Sequence, residues 1–91
     1  MQELLMMLKT DLGITTTAYD IRLTQVLSSA QDAITAEGAL NLNPCDWADA
    51  QLIVMYAAWL WRKRDTMDAM PRMLRWMLNN RVFGPRMGGQ A

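Results

Sequence analysis

Apolar residues recur along this chain at three- and four-residue intervals, and four stretches carry the pattern strongly enough to predict amphipathic helices. In the first, residues 2–12, Leu4, Leu5, Leu8 and Leu12 form one stripe and Gly13 supplies the stop. The second opens after Thr15, Thr16 and Thr17, any of which can accept a hydrogen bond from the free amides of a first turn, with Asp20 near the positive end of the helix dipole. Ile21, Leu23, Val26, Leu27, Ala30 and Ile34 make its apolar side, Arg22, Gln25, Ser29, Asp32 and Glu37 its wet side, and it is expected to end near Gly38. Residues 38–43 hold Leu40 and Leu42, too apolar for a loose linker and expected to lie against the helices. Nowhere do β-branched and polar residues alternate long enough to line a sheet, so the class is all-α.

Asn43-Pro44-Cys45-Asp46 predicts the start of the third helix, with Asn43 as cap, Pro44 at the first position and Asp46 in the first turn, and the helix is expected to reach Arg64. Leu52, Met55, Tyr56 and Trp59 face one way while Ile53, Val54, Ala57, Ala58 and Trp61 cover much of the rest, so this helix is apolar nearly all round. That is the pattern of a central helix, and a small domain has two ways to hide it: wrap it with three neighbours, leaving Trp59 or Trp61 partly exposed, or bury the remainder against another subunit. The fourth helix follows Thr66 or Asp68, tolerates Pro71 only in its first turn, and runs through Met73, Leu74, Trp76, Met77 and Leu78 to Asn79-Asn80. Gly84, Pro85, Gly88 and Gly89 then predict an extended or mobile segment over 81–91. The expected architecture is a small four-helix bundle-like domain over 1–80 with one long central helix, followed by an extended C-terminal tail over 81–91.

Length and composition narrow the function classes. The chain has 91 residues, room for one domain, and its 52% apolar and 20% charged content fits a folded chain rather than a disordered one. A single cysteine, Cys45, gives no disulfide framework and suits a reducing compartment. Histidine is absent, which removes the commonest general base and the commonest metal ligand. The first ten residues lack the basic leading segment of a secretion signal. Residues 52–61 are the longest apolar run, about half the ~20 needed to cross a bilayer. The net charge of zero conceals a split: residues 1–50 carry Glu3, Asp11, Asp20, Asp32, Glu37, Asp46 and Asp49 against Lys9 and Arg22, while 51–91 carry Arg62, Lys63, Arg64, Arg72, Arg75, Arg81 and Arg86 against Asp65 and Asp68. Such a division suits a basic face for nucleic acid, or head-to-tail contacts in which one copy's basic end meets the next copy's acidic end.

Candidate chemistry is sparse. The carboxylate pairs Asp46/Asp49 and Asp65/Asp68 fall at i,i+3, but both sit at helix starts, where capping accounts for them. Cys45 has no partner base, and no nucleophile–base constellation, phosphate loop or ligand cluster accompanies it, so no enzyme, cofactor or metal is expected. Nine methionines suit either core filling, the reading for Met6, Met7 and Met55, or an adaptable contact surface, which stays open for Met70, Met73, Met77 and Met87. Arg72, Arg75, Trp76, Asn79, Asn80 and Arg81 are either a solvated basic helix face or a phosphate-contacting one, and residues 63–68 approach the length of a helix-turn-helix turn. Residues 52–64, with Trp59 and Trp61, allow a third reading as a membrane-surface helix.

Taken in order, Leu8-Lys9, Leu12-Gly13-Ile14, Asp20, Leu23, Leu27, Ala30 and Ile34, then Asp49-Ala50, Tyr56-Ala57-Ala58-Trp59, Arg64, Met70-Pro71, Leu74-Arg75-Trp76 and Leu78-Asn79-Asn80-Arg81 resemble the helical head-tail connector proteins of tailed bacteriophages, also described as adaptor, DNA-packaging or head-completion proteins. The resemblance spans most of the chain and lies in order, spacing and length rather than in any single motif. It implies a structural virion protein, assembled in the host bacterial cytoplasm, that forms a ring of about twelve copies below the portal and continues the DNA channel towards the tail. Its implied partners are further copies of itself, the portal, a tail-side completion protein and, non-specifically, the DNA in the channel, with no membrane. Asp20, Asp32 and Glu37 against Arg62, Arg64, Arg72 and Arg75 are the candidate charge partners between adjacent copies, and Ile53, Trp61, Met73, Met77, Arg81 and Phe83 complete the candidate interface. Exposed pairs of this kind are worth roughly 0–1 kcal/mol each and set register more than affinity. The connection over 38–43 is short, so a family feature carried on a longer excursion there has no counterpart. The alternative is a small helical DNA-binding protein.

Overall fold

The computed structural model describes residues 2–39, 41–63 and 69–88, which form four helices: α1 (Gln2–Leu12), α2 (Asp20–Ala36), α3 (Trp47–Lys63) and α4 (Arg72–Gly88). The chain is an all-α, bundle-like domain, with no strand among the described residues. Its 17-residue centre, α3, packs against each of the other three helices. Ala50, Leu52, Ile53, Val54, Tyr56, Ala57 and Ala58 of α3 are all buried, and Trp59 and Trp61 are half-buried. Within one copy, three neighbours wrap most of this all-round apolar helix. The stripes that meet α3 are Leu4 and Leu8 of α1, Leu23, Leu27, Ala30 and Ile34 of α2, and Leu74, Leu78 and Val82 of α4. Ile21, placed on the α2 stripe by the sequence, is instead 80% exposed, because it sits nearly half a turn away from the Leu23–Leu27–Ala30 line.

Helix stops follow the glycines. The N–H of Gly13 donates to the Thr10 carbonyl at 3.2 Å and that of Ile14 to Lys9 at 2.9 Å, the paired bonds that close a helix through a left-handed residue. The same pair recurs at the end of α2, where Gly38 donates to Thr35 at 3.0 Å and Ala39 to Ile34 at 3.4 Å. Both glycines have positive φ, 74° at Gly13 and 114° at Gly38.

Helix starts differ from the sequence expectation. None of the three threonines caps α2: it begins three residues later, after Tyr19, and Thr16 Oγ1 accepts the Ala18 N–H in a local turn. At α3 the cap is Asp46, not Asn43; Asp46 Oδ2 accepts the Asp49 N–H at 3.3 Å and its carbonyl accepts the Ala50 N–H at 2.8 Å. Asn43 instead folds the preceding turn, its Oδ1 accepting the Cys45 N–H at 3.0 Å. Pro71 lies just before α4 and its carbonyl accepts the Arg75 N–H at 3.0 Å, so the ring sits where no amide is needed. Thr66 and Asp68, the expected start, lie outside the described residues.

The largest correction is at the C-terminus. Residues 81–88, expected to be extended or mobile, continue α4 to Gly88, eight residues past Asn80. Tertiary contacts override the weak local propensity: Arg81 pairs with Asp49 and Val82 is buried against the α2–α3 corner. Residues 89–91 lie outside the described residues.

The two glycine stops make a controlled comparison. A Cβ at Gly13 would meet nothing within 4 Å, whereas one at Gly38 would lie 3.2 Å from Val82 Cγ1. Gly13→Ala should cost about 1–2 kcal/mol from the left-handed backbone alone. Gly38→Ala should cost more, because it also pushes α4 off its seat, and chemical denaturation of both variants measures the difference.

Candidate functional site

Helix α4 has two apolar sides. Leu74, Leu78 and Val82, four residues apart, face inward, while Met73 and Trp76 on the opposite side are 60% and 62% exposed, with Phe83 half-exposed further along. The inner stripe lies antiparallel along α3: Leu74 is beside Ala58 and Trp59, and Arg81 reaches Asp49 near the start of α3. Arg72 and Arg75 flank the outer stripe.

The orientation of α4 is fixed by a charge cluster at the start of α3. Asp49 is 6% exposed, and its Oδ1 accepts the Arg81 Nε–H at 2.7 Å while Oδ2 accepts the Asn43 N–H at 2.9 Å. Burial pushes the Asp49 carboxyl up, but the Arg81 hydrogen bond, the Asn43 amide and the Arg81 charge outweigh it and hold the group below its ordinary value. Nearly two turns back along α4, Arg75 meets Glu37 at 3.5 Å, a half-exposed pair that ties α4 to the end of α2. Beneath them the Tyr56 hydroxyl is pushed up by burial and by the Glu37 charge.

Coverage of α3 runs out between α1 and α4. Two adjoining cavities of about 370 and 600 Å³ lie there, both touched by Asp11 and Met55. Met6, Met7 and Thr10 of α1 form one wall, Met55, Ala58 and Trp59 of α3 the floor, and Pro71 and Leu74 the other wall. Met6, assigned to core filling by the sequence, is 64% exposed at this lip, while Met7 and Met55 are partly buried as expected. The Trp59 indole N–H is enclosed without an acceptor among the described residues. Among those residues no group of three acidic, cysteine or histidine side chains converges as a metal site would, and no helix is long and apolar enough to cross a membrane.

No family model, no curated protein and no solved structure matches the chain.

The sequence candidates fall in different surroundings. Several of the charged residues expected to join adjacent copies are engaged within the chain: Asp20 with Lys9 at 2.8 Å, Glu37 with Arg75, Arg62 loosely with Asp11 at 3.8 Å, and Arg81 with Asp49. Ile53 must be withdrawn from the interface, since it is fully enclosed at the centre of the core. Trp61 is half-buried and packs edge-on to Tyr19, 5.7 Å between ring centres. Met73 and Phe83 are exposed, Met77 is half-buried, and Asp32 and Arg72 are exposed with no ion pair among the described residues. Arg64 lies outside the described residues.

One alternative surface is weakened by the geometry: the apolar stretch offered as a membrane-surface helix is the core itself, with Leu52, Ile53, Val54, Ala57 and Ala58 buried. The candidate helix-turn-helix turn over 63–68 lies, from residue 64 onward, outside the described residues. What sequence reasoning missed is the groove, whose only sign was the Met6-Met7 and Thr10-Asp11 spacing on α1, and the exposure of Trp47 at 72% at the start of α3.

Arg81→Met leaves an enclosed carboxylate without its guanidinium and should cost about 1.5–3 kcal/mol, the range for hydrogen bonds to charged groups. Because the Asp49 carboxyl is lowered in the folded state, its stabilising effect is fully present above the unfolded value of about 3.9 and is lost as pH falls through the folded one. Urea melts between pH 7 and pH 3 should therefore show the gap between wild type and Arg81→Met narrowing on the acid side.

Proposed function

We propose that the chain is a structural assembly protein rather than an enzyme, and that it serves as a head-tail connector of a tailed bacteriophage. In this role it forms a ring of about twelve copies below the portal, joins the head to a tail-side completion protein and contacts the DNA of the channel non-specifically. It is a virion component assembled in the host cytoplasm. The observation that carries the reading is the outward apolar face of α4: Met73 and Trp76 stand in solvent on a helix already anchored by its other side, which is the arrangement of a surface kept for a partner. The order and spacing of the helices, which resemble those of the connector proteins, supply the kind of partner. The clefts are lined mainly by methionine, alanine, tryptophan and leucine side chains, with Asp11 and Arg62 loosely paired at the larger one, a lining that favours packing.

A DNA-reading role has less support, since Arg75 and Arg81 are held by Glu37 and Asp49. Gel shifts at low salt separate the readings, a duplex affinity that falls steeply with salt favouring the alternative. The assembly role is tested by negative-stain imaging of the purified chain, alone and with its portal. Closed rings of about a dozen copies are expected; a chain that stays monomeric even with the portal present contradicts the proposal.

A further inference from the structure

The chain carries a protruding apolar stripe and an apolar groove on different surfaces, sharing no residue. The stripe is Met73 and Trp76 on the outer side of α4. The groove is floored by Met55 and Trp59 and walled by Met7 and Thr10 of α1. Flexible thioethers let such a floor adapt to a bulky aromatic. At its Met7–Met55 end the groove has an acidic rim: Glu3 lies on the Met6–Met7–Thr10 face of α1 by its three- and four-residue spacing, and Asp11 touches both cavities, while Arg62, 3.8 Å from Asp11, and Lys63, over the Trp59 ring, lie at the other end. Arg72 and Arg75 flank the stripe, and Arg72 is exposed with no ion pair among the described residues.

We infer that the outer stripe of α4 seats in the α1–α3 groove of a second copy, with Trp76 entering between Met7 and Met55 and Arg72 set against Glu3 and Asp11. The contact is heterologous. Each copy then presents a stripe on one side and an open groove on the other, and repetition closes into a ring if the rotation allows, or continues as a filament if it does not. The choice of a second copy as occupant rests on the assembly role proposed above, and the test is built to separate the two.

Two single-cysteine proteins, Met73→Cys and Thr10→Cys, each made with Cys45→Ser, are mixed under mild oxidation. The contact requires the mixed disulfide to exceed either homodimer, and a Ser29→Cys protein paired with Thr10→Cys to give only background. In parallel, Trp76→Ala should weaken self-association about thirtyfold or more, as expected for a central aromatic anchor, while leaving the thermal unfolding of the monomer unchanged. Arg72→Glu should weaken it too, with recovery on pairing with Glu3→Arg. Rings that form without the mixed disulfide and survive Trp76→Ala overturn this contact and leave the connector role standing. A strong mixed disulfide in species that never close into rings or bind a portal upholds the contact and removes the connector role. A chain monomeric at every concentration, or one whose Trp76 blue-shifts only on anionic vesicles, overturns the contact outright.

Discussion

A 17-residue helix with apolar side chains on nearly every side has to be covered, and everything else in this domain is arranged around that need. Among the described residues three helices do this. The stripes of α1 and α2 join α3 in one core, and α4 lies back along α3 from Ala58 to Leu52 and Asp49. A ring of three neighbours leaves one sector of a central helix open, and here the opening runs between α1 and α4 over Met55 and Trp59. The groove is thus the remainder of the same constraint that makes the core.

Which side of α4 faces outward is decided near its middle. Leu74, Leu78 and Val82 supply the adhesion, but a helix with two apolar stripes could lie either way up, and burying Met73 and Trp76 would satisfy the hydrophobic effect equally well. The Asp49–Arg81 pair removes that freedom, because flipping α4 would strand an enclosed carboxylate. The Glu37–Arg75 pair and the close fit of Val82 against Gly38 act in the same sense. Specific polar contacts therefore choose between two apolar packings, and the choice leaves an aromatic residue in water.

The helices and the central place of α3 were legible in the sequence because they depend on periodicity and on glycine stops, both of which are local. The starts of α2 and α3 were less so: Thr15, Thr16 and Thr17 compete on equal terms, and Asn43 and Asp46 are both good caps, so tertiary geometry selects between them. The end of α4 was hidden for a different reason. Gly84 and Pro85 argue locally for a break, and only the contacts of Arg81 and Val82 with the far end of α3 and the turn after α2 carry the helix onward. The charge split along the chain was visible, but its meaning was not, since several of its members meet within one copy. The groove needs three helices to exist and leaves almost no trace in any one of them.

The outer face of α4 and the α1–α3 groove are proposed as surfaces kept for contact rather than for solvent. Hydroxyl-radical footprinting read residue by residue, at dilute and at high protein concentration, addresses the proposal most directly because methionine and tryptophan are the side chains it labels best. The account requires Met73 and Trp76 to be labelled readily in dilute solution and to become protected together with Met6 and Met7 as concentration rises, while Trp47 stays reactive throughout. Labelling of Met73 and Trp76 that is independent of concentration, or protection that spreads over other faces and spares them, would contradict it.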